Sequence, residues 1–190
     1  ERLNNIIEVD NTYADAFGMR SILHLNAMIY DFRIDRNKAI EQAKNDAEMA
    51  LLYDEKNLYG LLGIAGANIL HVYNLGSLSS KILSARKGLV NINILKKYHP
   101  DHYFIDFIMG AYNNVLLSNK NISNPNNYEE LKKYWESFIK KTKNKINTDK
   151  MARAGSQLVL RDLAVIELNH HNYSSAIFYA ELLNKQFEDE

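Results

Sequence analysis

The sequence predicts an all-α protein, and three observations carry this prediction. Apolar residues recur at steps of three and four along almost the whole chain, which is the period of an amphipathic helix. Only two prolines and eight glycines occur in 190 residues, too few for the frequent turns of an all-β sandwich. No segment keeps the apolar–polar alternation that marks a half-buried strand. We therefore expect long helices joined by short loops.

The first half of the chain divides into four predicted helices at short polar clusters. Breaks near 10–12, 33–37 and 54–56 separate helices over 1–9, 12–31, 36–53 and 56–73. Asp10 offers an N-cap side chain for the second helix. The third helix has an apolar stripe made of Ile40, Ala43, Ala47, Ala50 and Leu51. In the fourth, Gly60, Gly63 and Gly66 give one smooth face, which predicts close packing against another helix.

The second half predicts five more helices, for nine in all. They cover 78–98, 101–118, 127–146, 149–169 and 173–187, and the longest break is an Asn/Ser-rich loop over 118–127. Pro100 suits a helix start, and Thr148 and Asn172 offer N-cap side chains. The segment 103–109 is apolar on nearly every side and is expected to be buried. The seventh helix has a stripe made of Leu131, Trp135, Phe138, Ile139, Thr142 and Ile146.

The charge balance and the residue types argue against several classes of function. Lysine plus arginine equals aspartate plus glutamate, 23 against 23, so the chain as a whole has no pull toward nucleic acid. Cysteine is absent, which excludes disulfides and thiolate chemistry. The pairs His99–His102 and His170–His171 lack the spacing of metal ligands on one helix face. We expect them to be turn residues at helix ends, and we predict no metal site.

Motifs of catalysis and cofactor binding are also missing from the sequence. It has no nucleophile elbow, no phosphate-binding glycine loop and no dinucleotide fingerprint. The acidic pairs Glu129–Glu130 and Asp101–Asp106, like the lysines of 132–150, are expected on solvated helix faces. We predict that the protein is not an enzyme and carries no cofactor.

The sequence does not determine the cellular compartment of the protein. No apolar run reaches the roughly 18 residues of a membrane span, so we predict none. The sequence opens with Glu1 instead of methionine, and we expect a piece of a longer or processed chain. A cytoplasmic protein and an exported, periplasmic protein that has lost its signal both fit, and the oligomeric state is not predicted.

Small residues recur at intervals that suggest a helical repeat. In 157–190, Leu163-Ala164 lie in a first helix, and Ala176 and Tyr179-Ala180 follow in a second. This unit resembles the tetratricopeptide repeat, in which a small residue follows the Leu-Gly pair by twelve positions; here Ala164 replaces the glycine and Glu188 replaces the closing proline. Farther upstream the same interval is 25, from Gly18 to Ala43 and from Gly63 to Gly88, so those units are stretched.

The resemblance implies a single domain of stacked helix pairs. It would be a right-handed α-solenoid, with units near 12–54, 55–99, 100–146 and 149–190. In this family the first helix of each pair lines a concave face that receives a peptide or a partner protein. Transferred by helix position, the candidate binding residues are Tyr13, Arg20, His24, Asn57, Ile64, Asn68, Phe107, Asn114, Arg161 and Asn169. Asn68, Asn114 and Asn169 could hold an extended peptide backbone, or they could simply form an exposed polar face.

Two other function classes remain beside the non-catalytic interaction module. The stack could enclose a small apolar ligand, as an exported subunit associated with a transporter would. A large pocket lined by Phe104, Phe107 and Tyr112 would favour that class over peptide binding. Alternatively, the chain could be an architectural subunit that assembles with itself through an apolar helix face.

Overall fold

A computed structural model describes residues 2–30, 33–74, 78–117 and 124–187, without the side chains at 28–30, 72–74, 78, 81, 82, 85, 115 and 125. This part of the chain is helical and contains no strand. Its helices are α1 (Arg2–Val9), α2 (Ala14–Tyr30), α3 (Arg36–Tyr53), α4 (Leu58–Asn74), α5 (Leu78–Tyr98), α6 (Phe104–Leu117), α7 (Pro125–Thr142), α8 (Lys150–Asn169) and α9 (Tyr173–Phe187). None of them combines the length and the apolar character that crossing a bilayer requires.

The predicted helices all occur, but several helix ends differ from the prediction. A turn occupies 99–103, so α6 begins at Phe104, three residues after the predicted start at 101. Helix α7 ends at Thr142, whose hydroxyl donates to the carbonyl of Phe138, four residues before the predicted end. The predicted loop over 118–127 lies outside the described residues from 118 to 123.

The predicted N-caps were also wrong in detail. Asp149 caps α8 in place of Thr148, with Oδ1 accepting from the N–H of Met151 at 2.9 Å. The Asp10 side chain accepts from Thr12 within the turn that precedes α2. The amide of Asn172 donates to Glu167 instead of accepting from the first turn of α9.

The helices pack as a series of hairpins. The pairs α2–α3, α4–α5, α6–α7 and α8–α9 form extensive contacts, α3–α4 packs just as extensively, and α1 lies against α2. The first helix of each hairpin also contacts the first helix of the next, from α2 to α4, α4 to α6 and α6 to α8. We call α2, α4, α6 and α8 the first helices. Within the described residues, no two helices more than two positions apart in chain order are in contact.

Glycines sit where helices approach most closely, as the spacing predicted. A Cβ added at Gly63 would lie 2.9 Å from the Cβ of Ser21 on α2, and one at Gly60 would lie 3.0 Å from the Cβ of Ala50 on α3. A Cβ at Gly66 would meet only Cδ1 of Leu25, at 3.0 Å. The glycine stripe of α4 therefore allows α2 and α3 to pack against the same helix.

Three apolar clusters follow one another along the hairpins, and the smallest joins α2, α3 and α4. One cluster joins α2, α4, α5 and α6, and a second joins α6, α7, α8 and α9, with Phe104 and Phe107 packed against both. The prediction that 103–109 is buried holds for Tyr103, Ile105 and Ile108, whereas Phe104 and Phe107 are only partly buried. These two phenylalanines therefore keep exposed area that can line a cavity.

Buried carboxylates connect the two helices of a hairpin or neighbouring hairpins. Asp106 on α6 accepts from Ser137 at 2.8 Å and pairs with Lys141 of α7 at 2.8 Å. Glu167 on α8 is fully buried and pairs with Lys132 of α7 at 2.8 Å. The prediction of a solvated face was therefore wrong for Asp106, which is buried, whereas Lys141 is exposed and Lys132 is partly exposed while each pairs with a carboxylate.

Candidate ligand-binding cavity

A cavity of about 270 Å³ lies between the first helices. All four of them line it, and α7 adds Trp135. Each first helix contributes a stripe of residues at helical spacing, which means that one face of each helix is turned toward the cavity. The lining residues are Ile22, Leu25, Asn26, Leu62, Gly66, Ile69, Leu70, Phe104, Phe107, Ile108, Ala111, Trp135, Met151, Ala154, Gly155, Leu158, Val159, Arg161 and Asp162.

The space exists because small and large side chains alternate along these stripes. Ala111 on α6 and Ala154 and Gly155 on α8 leave room that a leucine or a phenylalanine would fill. Gly155 also allows close packing, since a Cβ there would lie 2.7 Å from Cζ of Phe138 on α7. The small residues therefore allow the helices to pack closely and leave an unfilled space between the helix faces.

Aromatic rings form one wall and hold it in place. The centroids of Phe104 and Phe107 lie 4.8 Å apart, and Phe107 lies 5.5 Å from Phe138. The indole N–H of Trp135 donates to the carbonyl of Phe107 at 3.2 Å, which fixes the orientation of the indole ring. Of the three aromatic residues whose presence in a pocket would favour a small ligand, Phe104 and Phe107 line the cavity and Tyr112 does not.

The polar groups of the cavity are few. Asn26 comes from α2, and Arg161 and Asp162 come from α8. The Arg161 guanidinium donates to Oδ1 of Asp162 through Nε at 3.0 Å and Nη2 at 2.9 Å. Burial raises the pKa of the Asp162 carboxyl, and the bond and charge of Arg161 oppose that rise. The Arg161 side chain is 61% exposed, so this pair lies where the cavity meets solvent.

Of the residues predicted to line a binding face, Phe107 and Arg161 line this cavity. On α2, Ile22 and Leu25 line the cavity. Arg20 lies two residues before Ile22 and therefore about 200° around the helix from it. Arg20 and His24 instead face α3. They belong to a second, polar pocket of about 360 Å³ lined by Asn4, Arg20, His24, Gln42, Asn45 and Asp46.

Ion pairing dominates this second pocket. The Arg20 guanidinium binds Asp46 through Nε at 2.8 Å and Nη2 at 2.6 Å, and Nη1 donates to Asn4 at 3.0 Å. The hydrogen bond to Asp46 raises the pKa of Arg20, with burial opposing it. His24 Nε2 lies 3.3 Å from the same carboxylate. These groups are engaged with one another, and they hold α1, α2 and α3 together.

The predicted asparagine ladder does not come together at the cavity. Asn57 caps the first turn of α4 by accepting from the N–H of Gly60 at 2.9 Å, and its amide donates to Asp15 at 2.6 Å. Asn68 is buried and donates to the carbonyl of Ile64 at 2.9 Å. The remaining predicted positions, Tyr13, Ile64, Asn114 and Asn169, are not among the cavity residues.

Sequence reasoning missed Trp135, Leu158 and Asp162. A signal for two of them existed, because Met151, Leu158 and Asp162 fall on one face of α8 at intervals of seven and four. Trp135 was assigned to the buried stripe of α7, where it is indeed 2% exposed. Its edge reaches the cavity because Gly110 on α6 leaves space for the ring.

The cavity can hold an apolar group by excluding water, and its polar edge can exchange hydrogen bonds with a bound head group.

Elsewhere in the described residues, no three histidine, aspartate or glutamate side chains are close enough to hold a metal ion. His99 and His102 lie in the turn before α6, and His170 and His171 lie in the turn after α8, as expected. No protein-family model, curated protein or solved structure matches this chain.

Proposed function

We propose that this chain is a non-catalytic binding protein that holds a small apolar ligand between its first helices. The single observation behind the proposal is the cavity of about 270 Å³ with walls built from isoleucine, leucine, phenylalanine and tryptophan. Ligand sites are typically apolar clefts with a few placed polar groups and volumes of about 300 to 1,000 Å³. An apolar cavity of about 150 Å³ already binds benzene, so this one has room for a larger molecule.

We also propose that the hairpins form an open stack of the tetratricopeptide type. Within the described residues, contacts connect only helices one or two positions apart in chain order, and this favours a stack over a closed bundle. In such a stack the first helices would line the concave face, and the cavity would lie in that face.

A small ligand is favoured over an extended peptide by the nature of the lining residues. A peptide backbone needs donors and acceptors along its length. The amides of Asn57 and Asn68, which could have supplied them, are bonded within the protein. The cavity instead offers apolar area with one polar edge, which matches a compact molecule that has a long apolar part.

The affinity expected for a simple probe follows from the apolar area that it would bury. Each buried CH₂ group contributes about 0.8 kcal/mol, so an octyl chain contributes about 6 kcal/mol, equivalent to a Kd of about 40 µM. Lost translational and rotational freedom weakens this value. We therefore expect 1-octanol to bind with a Kd between about 40 µM and 1 mM.

The fluorescence of a native tryptophan can report ligand binding in this experiment. Trp135 is its only tryptophan and lines the cavity, so a ligand bound there changes the environment of the one indole. Titration of the wild-type protein with 1-octanol should change the tryptophan emission to saturation. Ala154→Phe, which fills the cavity, should abolish the change. Ala180→Phe adds the same side chain on the exposed face of α9 and should leave binding intact. A saturable response that Ala154→Phe leaves untouched would contradict the proposal.

A further inference from the structure

The charged groups of the cavity cancel one another. Among the described residues, Arg161 and Asp162 are the only charged side chains that line it, and they are bonded together. Asn26 adds a neutral amide from α2, and the indole N–H of Trp135 already donates to Phe107. The cavity therefore offers a ligand polar contacts without a net charge.

The geometry of the pair leaves one acceptor and one donor for a bound group. Both guanidinium donors that bind Asp162 go to Oδ1. Within the part of the chain that the structure describes, Oδ2 of Asp162 and Nη1 of Arg161 have no hydrogen-bond partner. A head group that both donates and accepts could bind these two atoms without breaking the pair.

We infer that the ligand is an uncharged amphiphile, with its apolar body in the cavity and an alcohol or primary amide head at Arg161 and Asp162. This inference rests on the proposed function and specifies its ligand. A carboxylate head would bring a second negative charge beside Asp162, and an ammonium head would bring a second positive charge beside Arg161. Either one would add a second like charge beside the pair at the mouth of the cavity, where Asp162 is only 33% exposed and solvent screens the repulsion incompletely. A neutral head avoids this cost while keeping both hydrogen bonds.

The environment of Asp162 supports this selectivity. Burial raises the pKa of its carboxyl despite the adjacent guanidinium. The site therefore already disfavours the one negative charge that it holds, and a second negative charge would be less favourable still.

Three probes of equal chain length test the inference: 1-octanol, octanoate and octylammonium at pH 7.5, each followed by the emission of Trp135. The wild-type protein should bind 1-octanol at least tenfold more tightly than either charged probe. Asp162→Asn leaves Arg161 without its counter-ion, and the preference should shift toward octanoate. Arg161→Gln leaves Asp162 alone, and the preference should shift toward octylammonium. Lys133→Gln, at an exposed position of α7 that does not line the cavity, should keep the wild-type order.

The outcomes separate this inference from the proposal on which it rests. Equal affinities for the three probes, or a wild-type preference for a charged probe, would overturn the head-group assignment and leave the apolar cavity as a binding site. The head-group assignment would also be overturned if neither Asp162→Asn nor Arg161→Gln changed the order of affinities for the three probes. If no probe binds, both proposals fail. Far-UV circular dichroism of the two variants establishes that they are folded, as the exposure of Arg161 leads us to expect.

Discussion

Gly110 lies directly against the indole ring of Trp135. A Cβ at this position would overlap the ring, so α6 and α7 can approach to their observed distance only if residue 110 has no side chain. The same contact places the edge of Trp135 at the cavity. One glycine thus connects the packing of a hairpin with the shape of the candidate site.

Replacing Gly110 with alanine should therefore destabilise the protein and move the indole. Overpacking costs about 1–3 kcal/mol, and the better helix propensity of alanine returns about 1 kcal/mol. We expect a net loss of up to about 2 kcal/mol in urea denaturation and a shifted tryptophan emission. Gly66→Ala is the matched control, since its Cβ would meet only the flexible end of Leu25 at 3.0 Å. An equal loss in both variants would mean that the Trp135 contact is not the cause.

Asp46 should be essential to the N-terminal hairpin because it neutralises Arg20. Hydrogen bonds to charged groups contribute about 1.5–3 kcal/mol, so Asp46→Asn should lower the free energy of unfolding by an amount in that range. Lys133→Ala breaks an exposed pair with Glu130 at 3.9 Å and should change it by less than about 0.5 kcal/mol. Denaturation of both variants in parallel checks this. Comparable small effects would show that the Arg20–Asp46 pair is also weakly stabilising.

The contribution of Glu167 should depend on pH in a defined direction. Burial would raise its pKa, but the bonds from Lys132, Asn172 and Tyr128 outweigh burial, and the pKa lies below its ordinary value of 4.5. A lowered folded-state pKa stabilises the protein above the unfolded value, and this stabilisation is lost as the pH falls through the folded value. The difference in unfolding free energy between wild type and Glu167→Gln should thus be constant near neutral pH and shrink below about pH 4.5. A difference that grows on acidification would contradict this assignment.

His171 occupies a backbone conformation that suits glycine. Its φ is 61°, and the N–H of Asn172 donates to the carbonyl of Glu167 while the N–H of His171 donates to that of Leu168. These two bonds close α8 in the arrangement that usually places glycine at the left-handed position. His171→Gly should stabilise the protein by about 0.5–1 kcal/mol in thermal unfolding. His170→Gly should destabilise it, because His170 has a φ of −89° and stacks on Tyr128.

The sequence predicted the helices well and the orientation of their faces only in part. Helical spacing and sparse turn residues were enough to locate all nine helices of the described chain. The face turned to the cavity was right for Phe107 and Arg161 but not for Arg20 on α2. Binding residues can be transferred from a repeat pattern only if the small residues are aligned in the correct register. A shift of two positions rotates a helix face by about 200°. A stretched repeat does not fix that register.

Buried polar groups were the second source of error. Asp106 looks like surface in the sequence because its partners, Ser137 and Lys141, are more than 30 residues away. A carboxylate is buried only when such partners converge on it, and tertiary packing decides this, not local pattern. Trp135 was missed as a cavity residue for the same reason, since nothing near it in sequence reveals that Phe104 and Asp162 line the same cavity.

The location of a bound probe is the most direct test of the cavity as the functional site. With 1-octanol in excess, nuclear Overhauser effects should connect its alkyl protons to methyl groups from several first helices, namely those of Leu25, Ile69, Ile108, Met151 and Leu158. Contacts restricted to exposed apolar residues of α9, such as Ile177 and Phe178, would contradict the account and place binding on the outer surface.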